Sequence, residues 1–195
     1  VPSPHRVGVL ALQGDFEAHL NALERAGASA FPVRSAAELE QAEALVIPGG
    51  ESTTMLRILQ DEELFEPLRR FGSERPIFGT CAGAILVASE VSHPQQASLS
   101  LVDIGVERNA YGRQLDSRVA RLHPEEAFAR RAGDGDIEAV FIRAPIIRRV
   151  GPSATVYLRY QDDPVLISEG RHLVATFHPE LSNDVRVHRL FVEGL

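Results

Sequence analysis

Three short apolar runs each end in a glycine-bearing turn, and the third turn carries the chain's one cysteine. Val7 to Leu12 stops at Gln13-Gly14, Ala44 to Ile47 stops at Pro48-Gly49-Gly50, and Pro76 to Phe78 stops at Gly79-Thr80-Cys81-Ala82-Gly83. Runs this short, apolar throughout and closed by turn residues, read as strands buried on both faces. Helical segments lie between them. Asp15 is placed to cap a helix with Phe16, His19, Leu20 and Leu23 on one face and Gly27 as its stop. Ala30 to Val33 reads as another strand and Ala36 to Gln41 as a short helix. Ser52 or Thr53 opens a helix through Leu59, Glu63 to Phe71 forms the next, and Ala84 to Ala88 is an apolar helix after the cysteine turn.

Past that point the pattern changes to strands: Ser100 to Glu107, Gln114 to Leu122, Glu138 to Ile142, Ala154 to Tyr160, Val165 to Ser168 and His172 to Phe177. The polar link Ala132 to Asp136 interrupts them, and Asp184 to Glu193 closes the chain as a helix with Val187, Leu190 and Phe191 on one side. Strand–helix alternation followed by strands predicts a three-layer α/β domain, its sheet mostly parallel at the centre with antiparallel additions. The sequence has no internal repeat, low-complexity tract or linker, and 195 residues at 44% hydrophobic can bury a core, so one domain over 1–195 is expected. Sites in such sheets lie at the carboxyl ends of the strands, where the three glycine turns fall.

Composition removes several chemistries. All 20 basic residues are Arg; without Lys no side-chain Schiff base and no lysine-bearing phosphate loop can form. Against 27 acidic residues the net charge is −7, which argues against nucleic-acid or anionic-membrane binding. The apolar runs are too short to span a bilayer. One Cys makes neither an internal disulfide nor a multi-cysteine zinc site, and a lone thiol fits the reducing cytoplasm. The first residues, Val1 to Arg6, lack a signal-peptide layout, and a start on Val suggests a processed or trimmed N-terminus.

Gly79 to Gly83 has the form G-x-C-x-G between a strand and a helix, the cysteine version of a nucleophile elbow. The sharp turn needs small neighbours and lifts Cys81 toward a helix N-terminus, which favours a thiolate. The pattern alone leaves a buried core cysteine as an equal reading. A thiol nucleophile needs a base. Phe177-His178-Pro179-Glu180 offers His178 as proton carrier and Glu180 as the group that orients it, although by itself this segment also reads as a surface turn. The other six histidines stand as bystanders: His5 in the tail, His19 on a helix, His93 and His123 before prolines, His172 and His188 without the Pro-Glu partner. Pro48 to Thr53 lets backbone approach a ligand and aim amides at it; the competing reading is a plain turn with Ser52 as helix cap.

Taken together these pieces resemble the class I (triad) glutamine amidotransferases, and within them the glutaminase subunits of pyridoxal 5′-phosphate synthases. The matching stretches are Val9 to Asp15, Pro48 to Met55, Phe78 to Gly83, Glu107 to Gln114, Val140 to Pro145 and Phe177 to Leu181. The resemblance implies a flavodoxin-like three-layer fold and hydrolysis of L-glutamine to glutamate and ammonia. It implies Cys81 as nucleophile with His178 and Glu180 completing a triad. Gly49, Gly50, Glu51, Arg108, Ile142 and Arg143 would bind glutamine. Gly50 and Ala82 amides would form an oxyanion hole that Gln13 helps set. No cofactor and no metal are called for. The implied partner is a (β/α)8-barrel synthase in a large hetero-oligomer, which receives the ammonia; the imine chemistry it performs needs a lysine that this chain lacks. Small departures fall at Ala84 and at Ala110-Tyr111, and Val91 to Ala97 is a variable loop. A glutaminase subunit of another pathway such as imidazole glycerol phosphate synthase, a stand-alone γ-glutamyl cysteine hydrolase, and a non-catalytic scaffold are the alternatives.

Overall fold

In the structure, a computed structural model describing residues 1–109 and 117–195, the apolar runs are the centre of one sheet. Strands β1 (Arg6–Leu10), β2 (Ser29–Val33), β3 (Ala44–Ile47), β4 (Ile77–Thr80), β10 (Ala154–Tyr160), β11 (Asp163–Glu169) and β12 (His172–Ala175) lie in the order β10-β11-β12-β4-β3-β1-β2. Pairing is parallel from β2 through β12, and antiparallel where β11 and β10 extend that edge. The expected mixed sheet is therefore present, parallel at its centre.

Alternation along these strands feeds two cores. Val7, Val9, Ala44, Val46, Phe78 and Leu173 pack to one side, while Leu10, Leu45, Ile47, Ile77 and Val174 pack to the other, as the two-residue period of a strand requires. The first side is covered by α1 (Phe16–Arg25), α6 (Glu126–Ala132), α7 (Arg186–Glu193) and the hairpin of β7 (Ser117–Leu122) with β8 (Ile137–Ile142). The second side carries α2 (Ala36–Glu40), α3 (Ser52–Asp61), α4 (Phe65–Glu74) and α5 (Ala82–Val87), and beyond them a small sheet, β5 (Ala88–Ser92), β6 (Val102–Glu107) and β9 (Ile146–Val150). Helices thus cover both faces of the sheet, which makes three layers.

Four local readings change. The helix after Cys81 ends at Val87, and the chain passes directly into β5, which takes up the start of the segment read as a loop. α6 and β9 were not legible as elements. Ser52 and Thr53 are not the cap of α3: Glu51 is, its carboxylate accepting from the amides of Thr53 (3.1 Å) and Thr54 (2.7 Å). Asp15 caps α1 through the Ala18 amide, and Gly27 follows that helix with φ +95°. The start of the expected strand from Gln114, the Ala110-Tyr111 departure and most of the 107–114 stretch lie outside the described residues.

Candidate active site

The cysteine turn is held at the mouth of the sheet. Cys81 has φ 51° and ψ −106°, a strained conformation that costs a non-glycine residue about 1–3 kcal/mol and is tolerated where surrounding contacts dictate it. One such contact is the Cys81 amide, which donates to Ala175 O at the end of β12 (2.9 Å). Gly83 is required here: a Cβ on it would stand 2.1 Å from Ile47 O. The amides of Ala84 and Ile85 return to Cys81 O, so Ala82 N sits in the first turn of α5, where an amide has no partner within its helix. Cys81 is 6% exposed, and its thiol lies 3.8 Å from Ile142 O at the end of β8.

β12 delivers the second piece. Three residues beyond its end comes His178, whose amide donates to Val140 O in β8 (2.8 Å). Pro179–Leu181 then form a single 3₁₀ turn that brings Glu180 back under the imidazole. His178 Nδ1 donates to Glu180 Oε1 at 2.6 Å, which leaves Nε2 as the ring nitrogen open to the thiol of Cys81. Burial alone would lower the His178 pKa, but the bonds to Cys81 and Glu180 outweigh it and raise it to about 10. For Glu180, burial would raise the pKa, and the imidazoles of His178 and His19 overcome that and hold the carboxyl at about 2. Both shifts stabilise the charged forms, as opposite charges in a dry site should.

Gly49 and Gly50 form the facing wall. A Cβ on Gly49 would stand 2.6 Å from His178 Cε1 and 3.3 Å from Cys81 Cβ, so only glycine lets the loop lie against both. Gln13 braces this loop, its Oε1 accepting from Glu51 N at 3.0 Å. Glu51 and Arg108 meet: Arg108 Nη2 is 3.7 Å from Glu51 Oε1 and donates to Thr53 Oγ1 at 2.9 Å. The Thr54 hydroxyl, followed by the Thr54 and Thr53 amides, keeps the Glu51 carboxyl below its ordinary value. Ile142 is 38% exposed beside the thiol, and Arg143 follows it with φ 45°. The residues expected at the site therefore come together from β1, the β3–α3 loop, the elbow, β6, β8 and the turn after β12.

Sequence reasoning missed three more. His19, set aside as a bystander on a helix, is fully buried, with Nε2 3.1 Å from Glu180 Oε2 and 3.2 Å from Thr80 Oγ1. Its Nδ1 is 2.9 Å from Nε2 of His188, also fully buried. A helical run offered only the position of His19 on the apolar face of α1 as a signal.

The chain matches the SNO glutamine amidotransferase family over residues 9–195. It is 59% identical over 190 residues to the pyridoxal 5′-phosphate synthase subunit PdxT of Solibacter usitatus, covering 97% of this chain and 99% of that one. It is 50% identical over 188 residues to the same subunit of Koribacter versatilis, covering 96% and 94%. A crystal structure of a glutamine amidotransferase superposes with a TM-score of 0.86 at 44% identity, covering 96% of this chain and 97% of the other. With sequence and fold agreeing along nearly its whole length, the chain belongs to the SNO glutamine amidotransferase family.

Proposed function

We propose that this chain is the glutaminase subunit of a pyridoxal 5′-phosphate synthase, hydrolysing L-glutamine at Cys81 with His178 and Glu180 as its proton-handling pair. The observation that carries the assignment of roles is the imidazole of His178, packed with Cys81 against Gly49 on one side and 2.6 Å from Glu180 on the other. A cationic imidazole beside the thiol favours the thiolate, which is the attacking form.

The Cys81 sulfur attacks the carboxamide carbon, and the C=O electron pair moves to oxygen. Amides of Gly50 and Ala82 receive that oxyanion, with Gln13 holding the loop that carries Gly50. His178 gives its proton to the amide nitrogen as the C–N bond breaks, releasing ammonia and leaving a γ-glutamyl thioester. Neutral His178 then takes a proton from water; the hydroxide adds to the thioester, glutamate leaves and the thiolate returns beside a cationic His178. Glu180 keeps the ring oriented through both steps. Gly49, Glu51, Arg108, Ile142 and Arg143 form the glutamine pocket, the guanidinium groups suiting its α-carboxylate and the carboxylate of Glu51 its α-ammonium.

The ammonia goes to a separate synthase. Building pyridoxal phosphate from sugar phosphates uses imines on a protein amine, and this chain has no lysine. A (β/α)8 barrel in a large hetero-oligomer is the partner proposed, with the 1–195 chain as one glutaminase domain and the cytoplasm, suited to a free catalytic thiol, as its place of work. Among the described residues no helix is long and apolar enough to cross a membrane. Glutamate release measured with and without the synthase tests this: low turnover alone and a rise on mixing are expected, whereas full turnover indifferent to the synthase would contradict it.

A further inference from the structure

Beneath the triad lies a second set of ionisable groups that glutamine hydrolysis as just described does not use. His19 on α1, Thr80 on β4 and His188 on α7 are all fully buried and converge on Glu180. Glu180 has two oxygens to satisfy. Oε1 takes the His178 proton at 2.6 Å. Oε2 is inaccessible to solvent and has no aligned hydrogen bond, and His19 Nε2 stands 3.1 Å from it. The aligned hydrogen bond of His19 Nε2 is with Thr80 Oγ1 at 3.2 Å, and Glu180 Oε2 lies within reach of the same ring nitrogen. A buried carboxylate oxygen without a donor is costly, so the second imidazole completes what His178 leaves undone.

The tautomers follow from the same contacts. If His19 carried its proton on Nδ1, its Nε2 lone pair would face a carboxylate. His188 would then need its proton on Nδ1, which is buried with no partner. An orphaned buried N–H is the rarer and costlier fault. With the protons on Nε2 of both rings, His188 donates to His19 Nδ1 and His19 presents its N–H to Glu180. Only a lone pair on His188 Nδ1 is then left over. Burial first keeps His188 neutral, its pKa lowered to about 3, and Arg25, at the end of α1, pushes the same way.

We propose that His19 is a positioning residue for the triad acid: His188 fixes its tautomer, and its Nε2–H holds Glu180 ionised and aimed at His178. The catalytic line thus runs on from Cys81, His178 and Glu180 into α1 and α7. The titratable groups facing Glu180 and His19 are His178, His188 and, more remotely, Arg25. The inference rests on the triad reading and deepens it.

The test is the pH dependence of kcat and KM for glutamine in the complex with the synthase, for parent, His19→Leu, His19→Gln and Cys81→Ala. Leu removes the donor, whereas Gln keeps an N–H near the Nε2 position. Without the donor Glu180 binds a proton at higher pH, so the acid limb of His19→Leu should move up by about one unit. Its kcat should fall about 10- to 100-fold, with KM held within about twofold. His19→Gln should restore the limb toward that of the parent. An acid limb unmoved in His19→Leu, or moved equally in His19→Gln, overturns the proposal while the triad stands, provided Cys81→Ala is inactive. A Cys81→Ala that still turns over glutamine overturns the triad itself. Should His19→Leu not fold, nitrogen-15 spectra of the parent decide: a proton on Nε2 of His19 and none on its Nδ1 is expected for neutral His19, and the opposite tautomer refutes it.

Discussion

One histidine opens β12 and another follows its far end, and the two could hardly be treated more differently. His172 opens the strand, buried, with its Nδ1 accepting from Ile77 N at 3.1 Å. Burial, then the neighbouring Arg171, lowers its pKa to about 4. His178 lies just past the strand's other end, also largely buried, yet its pKa rises to about 10. Desolvation pushes both toward the neutral form. What differs is the partner: a backbone amide asks for a lone pair, whereas a thiol and a carboxylate reward a cation. The carboxyl end of the sheet holds charge in a dry place, and the amino end avoids it, which agrees with sites in parallel sheets lying at the carboxyl ends.

The sharpest way to break this contrast is to remove the thiol. Cys81→Ala should cut glutamine hydrolysis at least 10³-fold, since groups acting as a unit lose most of their effect together; a glutamate-release assay reads it. Glu180→Gln comes next, with an expected loss of about 10²- to 10⁴-fold in kcat and a fall in the His178 pKa, because a raising contact is gone. At the quiet end, His172→Leu should leave kcat unchanged and lower unfolding free energy by about 1–3 kcal/mol in urea titration, the cost of stranding the buried Ile77 N–H. Loss of activity without loss of stability there would mean the two ends are not separable.

The pH dependence of stability has a defined sign. His178 binds its proton more tightly when folded, so its contribution is full below its ordinary 6.5 and is lost as pH rises toward about 10. Glu180 runs the other way: its contribution is full above its ordinary 4.5 and is lost as pH falls toward about 2. His172, with its pKa lowered to about 4, favours the fold above 6.5 and costs stability as pH falls toward 4. Above about 6.5 the Glu180 and His172 contributions are both full and only that of His178 changes, so urea midpoints should fall steadily as pH rises from 6.5 toward 10.

Much of this was legible in the chain. The G-x-C-x-G and His-Pro-Glu segments are local patterns, and the apolar runs before them announce where the sheet ends. His19 was not legible, because the partners that give it meaning lie far off in sequence, 61 residues away in Thr80 and 169 in His188. Glu51 as the cap of α3 was hidden because Ser and Thr next to it are the usual capping residues, and only the fold shows Gln13 holding the Glu51 amide. β5 and β9 were hidden for another reason. Ala-Ser-Glu-Val-Ser and Ile-Ile-Arg-Arg-Val carry little two-residue alternation, and they are edge strands of a small sheet whose partner is β6.

The central claim is that Cys81 and Glu180 together keep His178 charged in a buried site. Titrating the histidine rings by nuclear magnetic resonance, in the parent and in Cys81→Ala, tests it most directly. The account predicts His178 still protonated at pH 8 in the parent, a lower pKa for it in the variant, and His172 neutral down to pH 5 in both. A His178 that titrates near 6.5 in the parent, unmoved by removal of the thiol, would contradict it.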